Sequence, residues 1–232
     1  MDSLHMFGAL NSFPLFVAYI AMAAATRPIM RLIGPYELRL PLIVHNTVCC
    51  ILSVAVFVIG GVGLALSDDI LSIQQGNSYI LLSLFLYWVS KNVELLDTVF
   101  MLLRHRKRQV SFLHVFHHSS MLLLSDYGYF ISSWPPVAIA AVLNSFVHIV
   151  MYGYYAAAAW QPLEAYAWKK RVTQLQMIQF SVGIVIGING YLHLGYCVYS
   201  ILYPAAMFLL FSHYYYNAYI NPKQKKATEK IQ

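Results

Sequence analysis

At 232 residues the chain has the length of one or two soluble domains, yet 59% of it is hydrophobic and only 10% charged, with a mean hydropathy of +0.60. An ordinary globular domain is roughly 25% charged, so this composition excludes a water-soluble globular protein and indicates an integral membrane protein. The net charge of +6 and pI of 9.2 could suggest nucleic acid, but the basic residues sit in short clusters between apolar runs, which argues against such a partner.

A bilayer core about 30 Å thick takes about 20 apolar residues per helix. Seven stretches qualify in chain order: Gly8–Ala25, Leu42–Leu66, Tyr79–Leu103, Ser111–Ile131, Pro135–Ala158, Val172–Leu192 and Tyr196–Ile220. No Lys or Arg precedes the first, a poor start for a cleaved signal peptide, so it is expected to be a retained helix. Pro135 suits the first turn of the fifth helix and Pro222 a stop after the seventh. Residues 1–220 read as one membrane domain and 221–232 as a basic tail. Cys49, Cys50 and Cys197 lie in apolar runs and suggest no disulfide framework.

Loop charge sets the orientation. Arg27, Arg31 and Arg39 fall between the first two stretches, Arg104, Arg106, Lys107 and Arg108 between the third and fourth, and Lys169, Lys170 and Arg171 between the fifth and sixth. Lys223, Lys225, Lys226 and Lys230 are in the tail, and Lys91 is the single intramembrane exception. The intervening loops hold Asp68, Asp69, Asp126 and His193 instead. The positive-inside rule then places the N-terminus outside the cytosol and the C-terminus within it.

Ionisable groups inside apolar stretches raise the functional question. On the third, Lys91, Glu94 and Thr98 share a helix face with Asp97 to one side; on the fourth, His114, His117 and His118 cover one arc. The fifth carries Asn144, His148, Met151, Tyr152 and Tyr155, and the sixth opens with Thr173, Gln176, Gln179 and Phe180. Self-neutralising ion pairs and interhelical hydrogen bonds would account for several of these taken singly. Depth argues for more. At about 1.5 Å per residue the polar residues of all four stretches fall in one cytosolic slab, some 5–15 Å from the helix ends. Independent structural bonds have no reason to share a depth, so a single buried polar site opening to the cytosol is expected.

Four histidines, two carboxylates, a lysine and amides can serve proton transfer, nucleophilic catalysis or metal binding. The opposite halves of the helices are apolar, as at 54–66 and 182–188, which suits an amphiphile with a reactive head and a greasy tail. The clusters at 104–108 and 169–171 serve topology and anionic lipid on their own account, and would also suit the phosphates of a carrier such as coenzyme A. No cysteine has a basic neighbour in sequence to activate it, so acyl transfer would fall to a histidine.

The segments KNVELLDT (91–98), QVSFLHVFHH (109–118), NSFVHIVMYGYY (144–155) and TQLQMIQF (173–180) resemble the four ordered motifs of the ELO family of fatty-acid elongases. The likeness covers about residues 79–220; the first two stretches resemble the family in hydropathy only. It implies an all-α membrane protein of the endoplasmic reticulum, with seven helices, the second to seventh ringed around the site. It also implies condensation of a long-chain acyl-CoA with malonyl-CoA, without cofactor or metal, to a 3-oxoacyl-CoA two carbons longer. By motif position, His117 and His148 stand nearest acyl transfer, with His117 expected to accept the acyl group. His114 and His118 would orient or exchange protons, and Lys91, Glu94, Asp97, Asn144, Tyr152, Tyr155, Gln176 and Gln179 would support the histidines or hold the thioester head.

The partners implied are acyl-CoA, malonyl-CoA, membrane lipid, and the ketoreductase, dehydratase and enoyl reductase that complete the cycle; a homo-oligomer is compatible with the resemblance. The chain is short for the family, and KKATEKIQ puts Lys225 and Lys226 too far from its end for a dilysine retrieval signal. FLHVFHHSS resembles the box of elongases acting on polyunsaturated chains and of those acting on saturated ones, and the reading leans to the former.

Two rivals stand beside this reading. A di-iron desaturase or hydroxylase shares the H-x-x-H-H spacing but needs several boxes, whereas His5, His45, His105, His193 and His213 stand alone in sequence. A seven-helix receptor or transporter would need polar access from both faces or broken helices near the midplane, and no polar series leads across.

Overall fold

The computed structural model describes residues 11–160 and 165–221, and every described element is helical. The chain divides into two compact units, residues 1–161 and 162–232. The first contains α1 (Phe13–Ala24), α2 (Thr26–Leu32), α3 (Arg39–Ala65), α4 (Ser78–Glu94), α5 (Leu96–Leu103), α6 (Phe112–Phe130) and α7 (Pro135–Trp160). The second contains α8 (Ala165–His193) and α9 (Tyr199–Tyr215), which continues into a π turn at Tyr216–Ile220.

Four helices are long and apolar enough to cross a membrane: Arg39–Ala65, Ser78–Leu103 taken as one span, Pro135–Trp160 and Trp168–His193. The bent pair α1–α2 makes a fifth if it counts as one span. The lipid-facing surface bears this out. Along α3, Val44, Val48, Ile51, Val58 and Val62 are exposed, while His45, Asn46, Cys49 and Ser53 point inward. A water-soluble protein inverts that arrangement; here the chain is a multi-pass membrane protein. α6 is apolar enough only in part, since its 19 residues include three histidines, three serines and Asp126, and α9 has 17 residues as a regular helix.

Within the first unit α3 packs on α7 and α4, α4 also packs on α6, and α1 packs on α6. Val56, Ile80, Leu84, Tyr87, Ala138 and Ala141 from α3, α4 and α7 form one buried apolar cluster. Tyr19, Leu95 and Leu122 form a second at the join of α4 and α5. Small residues let the backbones close up: a Cβ on Gly63 would stand 2.8 Å from the Ile80 backbone nitrogen. Asn77 caps α4 by accepting the N–H groups of Tyr79 and Ile80 at 3.1 Å each, and its amide donates to the Gly63 carbonyl at 2.8 Å.

Several expected boundaries shift for identifiable reasons. α1 ends at a 67° bend into α2, where Pro28 has no N–H with which to continue the α1 ladder. α3 starts at Arg39, three residues early, because the Arg39 guanidinium donates to the carbonyls of Ala159 (3.1 Å) and Trp160 that end α7. Arg27 and Arg31, expected in a loop, lie in α2, and Lys169, Lys170 and Arg171 lie within α8. Asp126, expected in a loop, is fully buried in α6 and accepts the Ser12 backbone N–H at 3.1 Å. His193 is the last residue of α8. Pro135 does open α7; Pro222 and the tail fall outside the described residues.

Candidate functional site

The third expected helix is interrupted at Leu95, and the interruption distributes the site. The Leu95 N–H bonds the Asn92 carbonyl at 3.4 Å and the Thr98 N–H bonds that of Leu95 at 3.2 Å, a local 3₁₀ tightening. Around this break Glu94, Asp97 and Thr98 each engage a histidine on a different helix.

Glu94, at the end of α4, receives the Lys91 ammonium at 2.8 and 3.0 Å on its two oxygens. His148 of α7 brings Nδ1 to 3.1 Å from Glu94 Oε1 and 3.3 Å from Lys91 Nζ. All three side chains are buried. With the lysine neutralising Glu94, the tautomer that suits this geometry donates Nδ1–H to the carboxylate and leaves the Nε2 lone pair for chemistry. Lys91 Nζ also sits 4.6 Å from the centre of the Tyr87 ring, whose hydroxyl donates to Asn144 Oδ1 at 2.9 Å.

Asp97 is held on both oxygens. The Tyr152 hydroxyl donates to Oδ2 at 2.7 Å, and His45 Nε2 stands 2.9 Å from Oδ1. Thr98, fully buried, links His114 Nε2 at 2.8 Å to the Tyr19 hydroxyl at 2.9 Å. His118 packs on His114 with ring centres 4.2 Å apart and on His117 at 5.3 Å; His117 and His148 are 6.5 Å apart. His114, His117 and His118 are half-buried and so accessible, unlike the Lys91–Glu94–His148 group. Ser111 starts α6 by accepting the His114 backbone N–H at 3.3 Å, which fixes the box on its first turns.

Of the residues expected in the site, Lys91, Glu94, Asp97, His114, His117, His118, Asn144, His148 and Tyr152 come together in the first unit. Tyr155 lies beyond this group: it is 39% exposed, with its ring 6.2 Å from that of Tyr152. Gln176 and Gln179 are half-buried on α8 in the second unit. Among the basic residues Arg104 is half-buried at the end of α5, and Arg106, Lys107 and Arg108 are exposed. Lys169 and Arg171 are exposed, and Lys170 lies 6.0 Å from the Tyr215 ring.

Three residues escaped sequence reasoning, and the first two correct it. His45, solitary in the sequence, belongs to the network through Asp97. Cys49, read as lacking a basic neighbour, has its Sγ 3.7 Å from His45 Nε2 one turn away. The signal was present as a polar stripe at positions 45, 46, 49 and 53 on an otherwise apolar helix. Tyr19 left no such trace. Among the described residues no three His, Cys, Asp or Glu side chains are grouped as a shared metal ion requires.

Comparison with known proteins bears on this geometry. The family described as ELO, GNS1/SUR4, matches residues 9–227. Very long chain fatty acid elongase 4 of Homo sapiens is 36% identical over 214 residues, covering 83% of this chain and 66% of that protein. Very long chain fatty acid elongase 7 of Rattus norvegicus is 35% identical over 213 residues, 84% of this chain and 75% of that one. Very long chain fatty acid elongase 5 of Homo sapiens is 30% identical over 227 residues, 90% and 75% respectively. The match to the first of these thus spans just under two thirds of its length.

Proposed function

The chain belongs to the ELO (GNS1/SUR4) family, and from that premise we propose that it condenses a long-chain acyl-CoA with malonyl-CoA. The observation that carries this is the convergence of three family motifs, from α4–α5, α6 and α7, on one hydrogen-bonded cluster of carboxylates and imidazoles in a membrane-embedded unit.

The proposed chemistry runs through an acyl-imidazole. His117 attacks the thioester carbon of the acyl-CoA; the C–S bond breaks and CoA leaves as a thiolate that takes up a proton. Malonyl-CoA then loses carbon dioxide, and its α-carbon attacks the acyl carbon. The C–N bond breaks, the imidazole is restored, and a 3-oxoacyl-CoA two carbons longer departs. His117 suits the acceptor role because it is accessible and, among the described residues, its ring makes no carboxylate or hydroxyl bond of the kind that engages His114 and His148. His148, oriented by Glu94 as a carboxylate orients the imidazole of a catalytic dyad, is placed to exchange the protons. Lys91 bonds both oxygens of Glu94, and Thr98 holds His114.

The reading extends to setting. We take α1–α2, α6 and α9 as spans beside the four long helices, which gives seven. The N-terminus is lumenal, the cluster Arg104–Arg108 faces the cytosol and suits CoA phosphates, and the cluster Lys169–Arg171, in the second unit, carries charge of the same kind. The membrane is that of the endoplasmic reticulum, where a ketoreductase, a dehydratase and an enoyl reductase consume the product.

Membranes bearing the protein, given malonyl-CoA and a panel of saturated and polyunsaturated long-chain acyl-CoAs, are expected to yield two-carbon-extended chains. No extension in membranes that also supply the reductases and dehydratase would overturn the reading. Acyl-enzyme trapped without malonyl-CoA is expected to vanish in His117→Ala; its retention there and loss in His148→Ala would move the acceptor to His148.

A further inference from the structure

We propose that His45 is a positioning residue of the condensing site, acting through Asp97 on Tyr152 and so on His148; this rests on the elongase reading above. His45 is buried on α3, a helix outside the four motifs, with its Nε2–H directed at Asp97 Oδ1 (2.9 Å). Tyr152 donates to the other oxygen at 2.7 Å, so donors from α3 and α7 fix the plane of the carboxylate between them. The Tyr152 ring lies edge-on to that of His45 at 6.4 Å and packs on His148 at 5.5 Å. Tyr152 is fully buried, and the one polar atom of its side chain is committed to Asp97.

His45 also closes the site on one side. Between α3 and the α4–α5 span runs an open groove of about 510 Å³, lined by Leu40, Pro41, Val44, Val48, Val93, Leu96 and Phe100, with His45 as the polar member. The Phe100 ring holds that of His45 from the groove side, with centres 5.0 Å apart. Removing the imidazole would leave Asp97 Oδ1 facing an apolar groove without a donor. A carboxylate so placed turns or takes up a proton rather than stay charged and unpaired. Either response releases Tyr152 and the wall against which His148 rests. Because His45 touches Asp97 rather than substrate, the loss falls on turnover and not on acyl-CoA binding.

Substituting His45 by glutamine or by asparagine separates this from a packing role. The glutamine amide reaches the place of Nε2, whereas the asparagine amide stops one methylene short. His45→Asn is expected to lower kcat for 3-oxoacyl-CoA formation about tenfold or more, the scale at which residues orienting a catalytic group act. KM for acyl-CoA should stay near its wild-type value, and His45→Gln should recover most of the loss. In a cycle with Tyr152→Phe, His45→Asn should add little to a site that has already lost its other clamp. Thermal unfolding in detergent shows whether each variant is folded. An unaltered kcat in His45→Asn, an equal loss in His45→Gln, or full additivity with Tyr152→Phe overturns the positioning role while leaving the elongase reading intact. A wild-type protein that makes no 3-oxoacyl-CoA overturns both.

Discussion

Lys91 and Glu94, 3% and 1% exposed, lie inside a membrane span, where each alone would be prohibitive to bury as an ion. Their i, i+3 spacing brings ammonium and carboxylate to 2.8 Å, and His148 takes part of the remaining hydrogen-bonding capacity. The pair is therefore stable as a set and costly to split. Lys91→Met or Glu94→Leu alone should lose about 3–5 kcal/mol, because each strands a buried charge. The double variant should regain most of that stability while forming no product, since His148 then lacks its carboxylate. Thermal unfolding beside an elongation assay measures both; a double variant no more stable than either single would show that the pair contributes more than mutual neutralisation.

Elements explain which parts of the site could be read from sequence. Long apolar stretches announce α3, α4–α5, α7 and α8, and the Lys91–Glu94 face follows from helical spacing alone. The link from Asp97 to His45 does not, because positions 52 residues apart meet only through the packing of α3 on its neighbours. The same holds for Tyr19 on Thr98 and for the outward turn of Tyr155. The break at Leu95 also stayed hidden: no Pro or Gly marks it, and Leu95 is held there by Tyr19 and Leu122. Packing of α3 is open to a direct test through two of its glycines. A methyl on Gly63 would meet the Ile80 backbone nitrogen at 2.8 Å, whereas one on Gly61 meets nothing within 4 Å. Gly63→Ala should therefore destabilise by about 1–3 kcal/mol, as overpacking does. Gly61→Ala should be neutral or slightly stabilising, since alanine is the better helix former. Equal melting temperatures for the two variants would mean that α3 does not approach α4 this closely.

At the scale of the whole molecule the distribution of charge makes the most exposed claim. Arg104, Arg106, Lys107 and Arg108 follow α5, whereas the connection between α3 and α4 carries Asp68 and Asp69 and no basic residue. One helical span separates these two connections, so they lie on opposite sides of the membrane if Ser78–Leu103 crosses it once. The same crossing puts the accessible histidines of α6, which begins four residues after Arg108, on the side of the basic connection. On the proposed elongase reading an acyl-CoA would arrive from that side, its phosphates toward the arginines and its thioester toward His117. Single cysteines test the arrangement in sealed microsomes. With Cys50 and Cys197 replaced by serine and the buried Cys49 kept, Lys107→Cys should react with a membrane-impermeant maleimide from outside. Asp68→Cys should react only after detergent opens the vesicles. Both positions are exposed on their connections, so neither outcome is blocked by burial. Labelling in the reverse order would invert the orientation and place the histidine site out of reach of cytosolic CoA esters. Labelling of both without detergent would mean that Ser78–Leu103 does not cross the membrane.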